Sequence, residues 1–468
     1  MVLQKRIFLL LLSFFFMHFV EAQPTAAADR IKGNEQRNAL LSKSLVKEVD
    51  FRSVGPSVFS GRVVDLAVHP DDPSHFYVAY ASGGVWKTTN NGITFTPIFD
   101  QEMVMSVGDI AVDWTNGIIW VGTGENNSSR SSYSGIGMYK SNDDGKTWQH
   151  MGLDESHHIG RIVLHPTDPN TLWVAVLGHL YSANPERGVY KTNDGGKTWN
   201  QTLFVNENAG GVDMVISPND PNVLYAATWE RTRRAWNFVE SGPGSGIHKS
   251  SDGGDSWTLL TTEKSGFPTG EGVGRIGLDI GMDDGEPVLY AVLDNYFRRP
   301  AKDSKDKNAL SKNDLREMDK ASFLRTEEKQ VKAYLSANNF PKKYSYDKVK
   351  SMIEKDEIKP SALVEFTEDA NSLLFDTPVI GAEVYRSTDG GKKWKKQNED
   401  YLDQVFNSYG YYFGQIRVSP QDVNRIYILG VPVLRSDDGG KNWLSINGAN
   451  VHADHHALWV NPKREGHL

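Results

Sequence analysis

Short apolar runs alternate along the chain with clusters of turn-forming residues. GRVVDLAVHPDDPSHFYVAY from Gly61, GRIVLHPTDPNTLWVAVL from Gly160, VDMVISPNDPNVLYAATW from Val212 and GQIRVSPQDVNRIYILG from Gly414 share one plan. An apolar strand ends in a turn, usually with a proline, and a second strand follows. A compact pattern then recurs six times: TTNNGITF from Thr88, SNDDGKTW from Ser141, TNDGGKTW from Thr192, SSDGGDSW from Ser250, STDGGKKW from Ser387 and SDDGGKNW from Ser436. Its third positions are Asn90, Asp143, Asp194, Asp252, Asp389 and Asp438, spaced 53, 51, 58, 137 and 49 residues apart. A unit of about 50 residues is the size of one four-stranded propeller blade. The chain is therefore predicted to be an all-β propeller of about six complete blades plus part of a seventh. Each blade has strands A to D, with A innermost and the recurring pattern joining C to D.

The pattern has a physical reading. Its Ser or Thr and its Asp can accept hydrogen bonds from backbone N–H groups of the same turn. Its glycine supplies a positive φ. Its closing Trp or Phe starts strand D and buries a ring against a neighbour. A calcium loop would need alternating oxygen ligands and a distal bidentate Glu. None recurs, so no metal is expected at these turns, and no cofactor is expected anywhere.

Antiparallel strands place the A–B and C–D turns on one face and the B–C and D–A loops on the other. The B–C loops are uneven: AYASGG in blade one, GTGENNSSRSSYSGIG in blade two, LGHLYSANPERG in blade three and WERTRRAWNFVESGPGSG in blade four. In blade five the period breaks over residues 299–376, a Lys/Glu/Asp-rich stretch with helical spacing in DLREMDKASFL and KVKSMIEK. It is predicted to form a small helical cap on the B–C face, where long loops on a rigid scaffold usually carry binding residues.

Composition adds location. Residues 1–22 have the layout of a signal peptide: Lys5 and Arg6, an apolar core from Ile7 to Val20, and a small-residue cleavage site before Gln23. The apolar run is too short for a membrane span, and no transmembrane segment is expected after cleavage. The chain has no cysteine, so export without disulfides points to a bacterial periplasmic, cell-surface or extracellular protein. A net charge of -8 gives no reason to expect a nucleic-acid partner. The domain layout is 1–22 signal peptide, 23–49 linker, 50–298 blades one to five (first part), 299–376 helical insert, and 377–468 the remaining blades. DFRSVGP from Asp50 is expected to complete the last blade. The sequence stops just after an expected A strand, so a longer protein is expected, with at least the rest of that blade and a second propeller.

From about Phe51 onward the recurring motif resembles the Asp-box (BNR) propellers, and most closely the sortilin-like group with its bacterial relatives labelled glycosyl hydrolases. The resemblance implies the fold strongly. It implies function weakly, because sialidases, xyloglucanases, sortilin-type receptors and photosystem assembly factors share the motif. Similar xyloglucanases carry a catalytic Asp just before the Gly-Gly of blade one, where this chain has Ala81. The sialidase Phe-Arg-Ile-Pro motif has no counterpart ahead of the first Asp box. Phe297-Arg298-Arg299-Pro300 lies far downstream and is read as coincidence.

Several residues are candidates for chemistry. One A-strand position is polar in every repeat: Asp65, Asp109, Arg161, Asp213, Arg275 and Gln415. Mutual neutralisation of Asp and Arg in a wet channel is the plainer reading; a ring that orients a ligand is the sharper one. Glu125 in the blade-two loop is a candidate mouth carboxylate. His179 and the run Trp229, Glu230, Arg231, Arg233, Arg234 and Trp236 combine cations with aromatic faces, which suits a sugar or an acidic peptide. VHADHHALWVNP places Asp454, His455 and His456 at the start of an expected inner strand, as candidates for acid–base or metal chemistry. Glycoside hydrolysis needs two placed carboxylates, and the sequence pairs none. The expected function is a secreted ligand-binding or receptor-like module for a carbohydrate or a peptide or protein ligand, using the B–C face. The alternative is a glycoside hydrolase acting on polysaccharide through channel-mouth carboxylates.

Overall fold

The computed structural model describes residues 24–49, 61–129, 132–234, 237–299, 310–338, 340–366, 379–406 and 409–468. It forms two compact units, Met1–Phe59 and Ser60–Leu468. The expected signal peptide and the DFRSVGP segment lie outside the described residues. The described part of the first unit contains a helix, Ala27–Ser42, where a linker was expected.

The second unit contains six four-stranded antiparallel sheets, each with its strands in chain order. The A strands are Val63–Val68, Val107–Asp113, Ile159–Leu164, Ala209–Ile216, Val273–Asp283 and Gln415–Ser419. Each of the first five packs against the A strand of the next blade. This is the radial arrangement that the repeat spacing predicts.

Strand A carries a bulge in blades one to five. An extra residue bends the strand and re-aims the side chain that follows it. In the first four blades that side chain is Asp65, Asp109, Arg161 and Asp213, opposite Ala79, Gly122, Ala175 and Ala227 of strand B. The equivalent pairing in blade five is Gly277 with Val292, and in blade six Gln415 with Leu429. Arg275 therefore does not belong to the inner ring. The wider bulge between Val273 and Ile276 lifts it toward the B–C face.

Neighbouring blades interlock through the recurring turn. The Trp173 indole, in strand B of blade three, donates to the Gly253 carbonyl of the blade-four turn at 2.9 Å. Gly254 has φ +83°, and a Cβ there would lie 2.3 Å from the Trp173 ring nitrogen. The closing indoles of Trp148 and Trp199 donate to the Ile98 and Met151 carbonyls of the preceding blade at 2.6 and 2.7 Å.

The insert leaves blade five between strand B, Glu286–Arg298, and strand C, Val379–Ser387, as expected. Its described residues form short helices, including Lys312–Glu317, Lys320–Arg325, Glu328–Ala337 and Tyr346–Glu354. Ser311, Asp319 and Ser345 cap three of them through side-chain oxygens. Leu315, Phe323, Val331, Leu335, Val349, Ile353 and Leu363 form a core of their own.

Beyond blade six no strand forms among residues 447–468, so the expected inner strand at Asp454 has no ladder. The segment touches blade six at one end, where Asp454 and His455 N–H groups donate to the Val431 and Gly430 carbonyls. At its other end Gln421 donates to the Asn461 carbonyl, and Lys463 pairs with Asp71 of blade one. It thus crosses from the B–C face to the turn face between blades six and one, without a partner strand for its backbone.

Candidate functional site

The A-strand ring is an internal ion network. Arg161 reaches Asp213 at 2.9 Å, Asp109 at 3.1 Å and Asp65 at 3.7 Å. The carboxylates also fasten blade to blade. Asp109 accepts the Ile162 N–H of the next blade at 2.6 Å, and Asp213 accepts the Leu278 N–H at 2.9 Å. Asp279, two residues below the ring position, does the same for Val418 at 2.6 Å. Burial pushes the Asp109 carboxyl well above its usual range, with the nearby Asp65 adding to the rise and Arg161 opposing it. Arg161 and its three acids satisfy one another, which supports the neutralisation reading of the ring.

On the B–C face the blade-two loop folds inward and plugs the channel mouth. Glu125, Asn126, Asn127, Ser128 and Ser129 are all buried. Arg231 donates to the Ser128 hydroxyl and Arg233 to its carbonyl. Arg275 donates to Asn127 Oδ1 at 2.6 Å and to the Tyr411 carbonyl at 3.1 Å. Asn126 spans the Gly108 and Gly160 carbonyls. Asn126 and Asn127 each begin an Asn-X-Ser sequon, and their burial keeps both amides from glycosylation in the folded chain.

Glu125 is not a free carboxylate. Arg62 grips it with two donors, one at 2.7 Å, and Asn127 donates to it at 3.1 Å. Trp229 is fully buried, its indole donates to the Glu240 carbonyl, and the Arg231 and Arg275 guanidinium groups lie 5.4 and 5.6 Å from its ring centre. It has no open face for a sugar. Burial, then the charges of Arg187 and Arg275, pulls Arg231 below its usual range, and burial brings Arg275 to about 10. Arg234 is exposed on the rim, hydrogen-bonded to the Tyr181 carbonyl. Trp236 lies outside the described residues.

Beside the plug, between blade one and residues 451–457, opens a cleft of about 960 Å³. Arg62, Tyr80, Tyr409, Tyr412, His455 and His456 are among its walls. The Arg62 guanidinium lies 4.8 Å from the Tyr412 ring centre. His455 and His456 turn Nδ1 to the Val431 and Tyr412 carbonyls, at 3.1 and 3.0 Å. Burial brings His456 down to about 3, so it is a neutral hydrogen-bonding group near pH 7 and stacks on Phe413. Asp454 is exposed at the rim.

Arg231, Arg233 and Arg275, which hold the plug, were candidates in the sequence, but Arg62 and Arg187 were not. Arg62 precedes the first A strand and carries no local signal. Arg187, which donates to the His179 carbonyl at 2.5 Å and to the Asn208 carbonyl at 2.7 Å, is fully buried although it sits in the polar string PERG. A second polar cluster was also missed: the Tyr296 hydroxyl faces both the half-buried Glu240 and the buried Asp294. Burial lifts Asp294 to about 7 and, with the nearby Asp294 charge, lifts Glu240 as well.

The turn face is chemically quiet. In each of the six repeats the third residue bonds within its own turn. Asp143 accepts from Ser141 Oγ at 2.8 Å, from the Thr147 N–H at 2.9 Å and from Thr147 Oγ1 at 2.6 Å. Those Thr147 bonds hold its carboxyl down at about 2. Asp194, Asp252, Asp389 and Asp438 repeat the arrangement, and Asn90 accepts the Thr94 N–H at 3.0 Å. With six such turns on six radial sheets, the assignment is fixed. The chain is an Asp-box β-propeller.

The family model for sortilin, neurotensin receptor 3, matches residues 137–346 of the propeller. The xyloglucanase Xgh74A of Acetivibrio thermocellus is 28% identical over 134 residues, 24% of this chain and 16% of that protein. A GH74 enzyme of Niastella koreensis superposes with a TM-score of 0.47 at 16% identity, covering 81% of this chain and 46% of that one. A YCF48 protein bound to D1 peptide gives 0.41 at 12% identity, covering 83% and 81%. The propeller chain thus spans less than half the length of the xyloglucanase and of the Niastella enzyme. No helix among its described residues is long and apolar enough to cross a membrane.

Proposed function

We propose that the propeller is an exported binding module that holds a saccharide or peptide ligand in the cleft between blade one and residues 451–457. The observation that carries this reading is the character of the walls. They present the tyrosine rings of residues 80, 409 and 412, the histidines, and the Arg62 guanidinium, which Glu125 already engages on one edge, with Asp454 as the single carboxylate among the described lining residues. Tyrosine rings and guanidinium groups suit sugar faces and peptide acids. A glycosidase pair needs two carboxylates across the bond to be broken. Glu125 is committed to Arg62, and the ring acids are committed to Arg161 and to backbone N–H groups.

Glycan-array and peptide-array binding, with a reducing-sugar assay alongside, tests the reading. Saturable binding without turnover is expected, weakened at least tenfold by Tyr412→Ala. Release of reducing ends that disappears in Asp454→Asn would overturn it in favour of hydrolysis.

A further inference from the structure

Next to the plug, two loops of the B–C face bring together three side chains that the proposed ligand cleft does not use. Glu155 and His157 lie in the D–A loop that leads from blade two to blade three. His179 lies in the B–C loop of blade three. One carboxylate oxygen and one nitrogen from each ring all fall within 4.8 Å of one another. Glu155 Oε2 and His157 Nε2 are 3.6 Å apart. Ligand atoms on a tetrahedral zinc are separated by about 3.3–3.5 Å, given bond lengths near 2.0–2.2 Å. That edge lies just outside this range, and the half-exposed Glu155 can swing to adjust both edges it makes with the histidines. The two imidazoles lie side by side, 3.8 Å between ring centres and inclined by 31°.

The histidines stand on backbone that is held in place. The His157 carbonyl accepts the Gly135 N–H at 2.6 Å. Gly124, at φ +85°, presses so closely on that carbonyl that a Cβ would lie 1.8 Å away. His157 itself adopts φ +53°, a conformation that non-glycine residues seldom take and that surrounding contacts must impose. His179 is fixed from three sides. Its N–H donates to Asn184 Oδ1 at 2.9 Å, its carbonyl accepts from the buried Arg187, and its Nδ1 meets the Ser182 hydroxyl at 2.8 Å. A partner on Nδ1 sets the tautomer and orientation of a metal-binding histidine, so Nε2 is the atom a metal would take.

We infer that Glu155, His157 and His179 form a divalent transition-metal site of zinc type, with one coordination position open on the loop face. Two imidazoles and one carboxylate are the donor set such ions prefer over calcium or magnesium. Three protein ligands leave a fourth position for water or for an atom of a bound molecule. Arg187 opposes a bare cation nearby, and the Glu155 charge is the group that offsets it.

Calorimetric titration of the metal-free exported chain with zinc chloride, and a matching cobalt(II) titration read in the visible spectrum, test the site. One equivalent of zinc is expected to bind and to raise the thermal midpoint. Cobalt is expected to give visible bands with His and carboxylate ligands. His179→Ala should abolish both. His157→Asn keeps a residue that tolerates positive φ, and it should abolish them without altering the metal-free melting curve. Ser182→Ala should weaken zinc by about tenfold to a hundredfold, as loss of an orienting partner does. Zinc binding of unchanged stoichiometry and affinity in the His157→Asn, His179→Ala double variant would overturn the assignment and place the metal on other histidines. Absence of saturable binding to the native chain would overturn it too.

Discussion

Arg161→Met tests whether the inner ring is a structural ion network. The substitution keeps much of the side-chain length and removes the charge. It leaves Asp213, Asp109 and Asp65, now 2.9, 3.1 and 3.7 Å from that charge, without their shared counter-ion. Asp109 is 1% exposed and Asp213 5% exposed, so water from the channel replaces it only in part. Removing one member of a buried ion group typically costs about 3–5 kcal/mol, because the remaining charges stay desolvated. The cost should depend on pH. Asp109 is already held above its usual range by burial and by Asp65, with Arg161 as the opposing influence. Without Arg161 it rises further, and the folded variant takes up a proton that the unfolded chain does not. Stability then falls as pH rises, so acidification from pH 7 to 5 should recover up to about 1.4 kcal/mol per unit per proton. Urea unfolding followed by tryptophan fluorescence, for both chains at both pH values, reads the effect. A loss below about 1 kcal/mol that is the same at the two pH values would refute the network, and Arg161 would become a group held for a ligand.

Two further outcomes follow from the packing. Gly254→Ala and Gly253→Ala both force an alanine into positive φ, but only Gly254 has a ring nitrogen 2.3 Å from the new Cβ, against 3.5 Å to the nearest atom at Gly253. Gly253→Ala should cost about 1–2 kcal/mol and Gly254→Ala about 1–3 kcal/mol more by urea unfolding; equal costs would refute the interlock at Trp173. The second concerns acid. Burial holds His158 well below its usual range, His248 at about 4 and His456 at about 3. These rings stay neutral when folded and take up protons when unfolded. Stability is therefore expected to fall as pH drops below about 6.5, by up to about 1.4 kcal/mol per unit for each histidine, and His248→Gln should flatten the slope.

The scaffold was legible because its signals are local. Asp143, Gly145 and Trp148 lie within one turn, and their spacing alone requires the hairpin that the structure contains. The insert was legible from a broken period. The loop face was not, because its contacts join residues far apart in the chain. Arg62 meets Glu125, Arg231 meets Ser128 across 103 positions, and Tyr412 meets Ser129 across 283. Arg275 was placed in the ring by counting, and the wide bulge in blade five defeats counting. The sequence also singles out His179 alone. Its convergence with Glu155 and His157 depends on how two loops of unrelated length descend onto each other.

The acid-to-amide links along the inner wall run in one direction. Asp109 reaches forward to Ile162, Asp213 to Leu278 and Asp279 to Val418, always from one blade to its successor. Blades two, four and five thus reach ahead, and blades three, five and six receive them. Because each such bond needs one particular alignment of neighbouring A strands, these links also fix how far one blade can slide past the next.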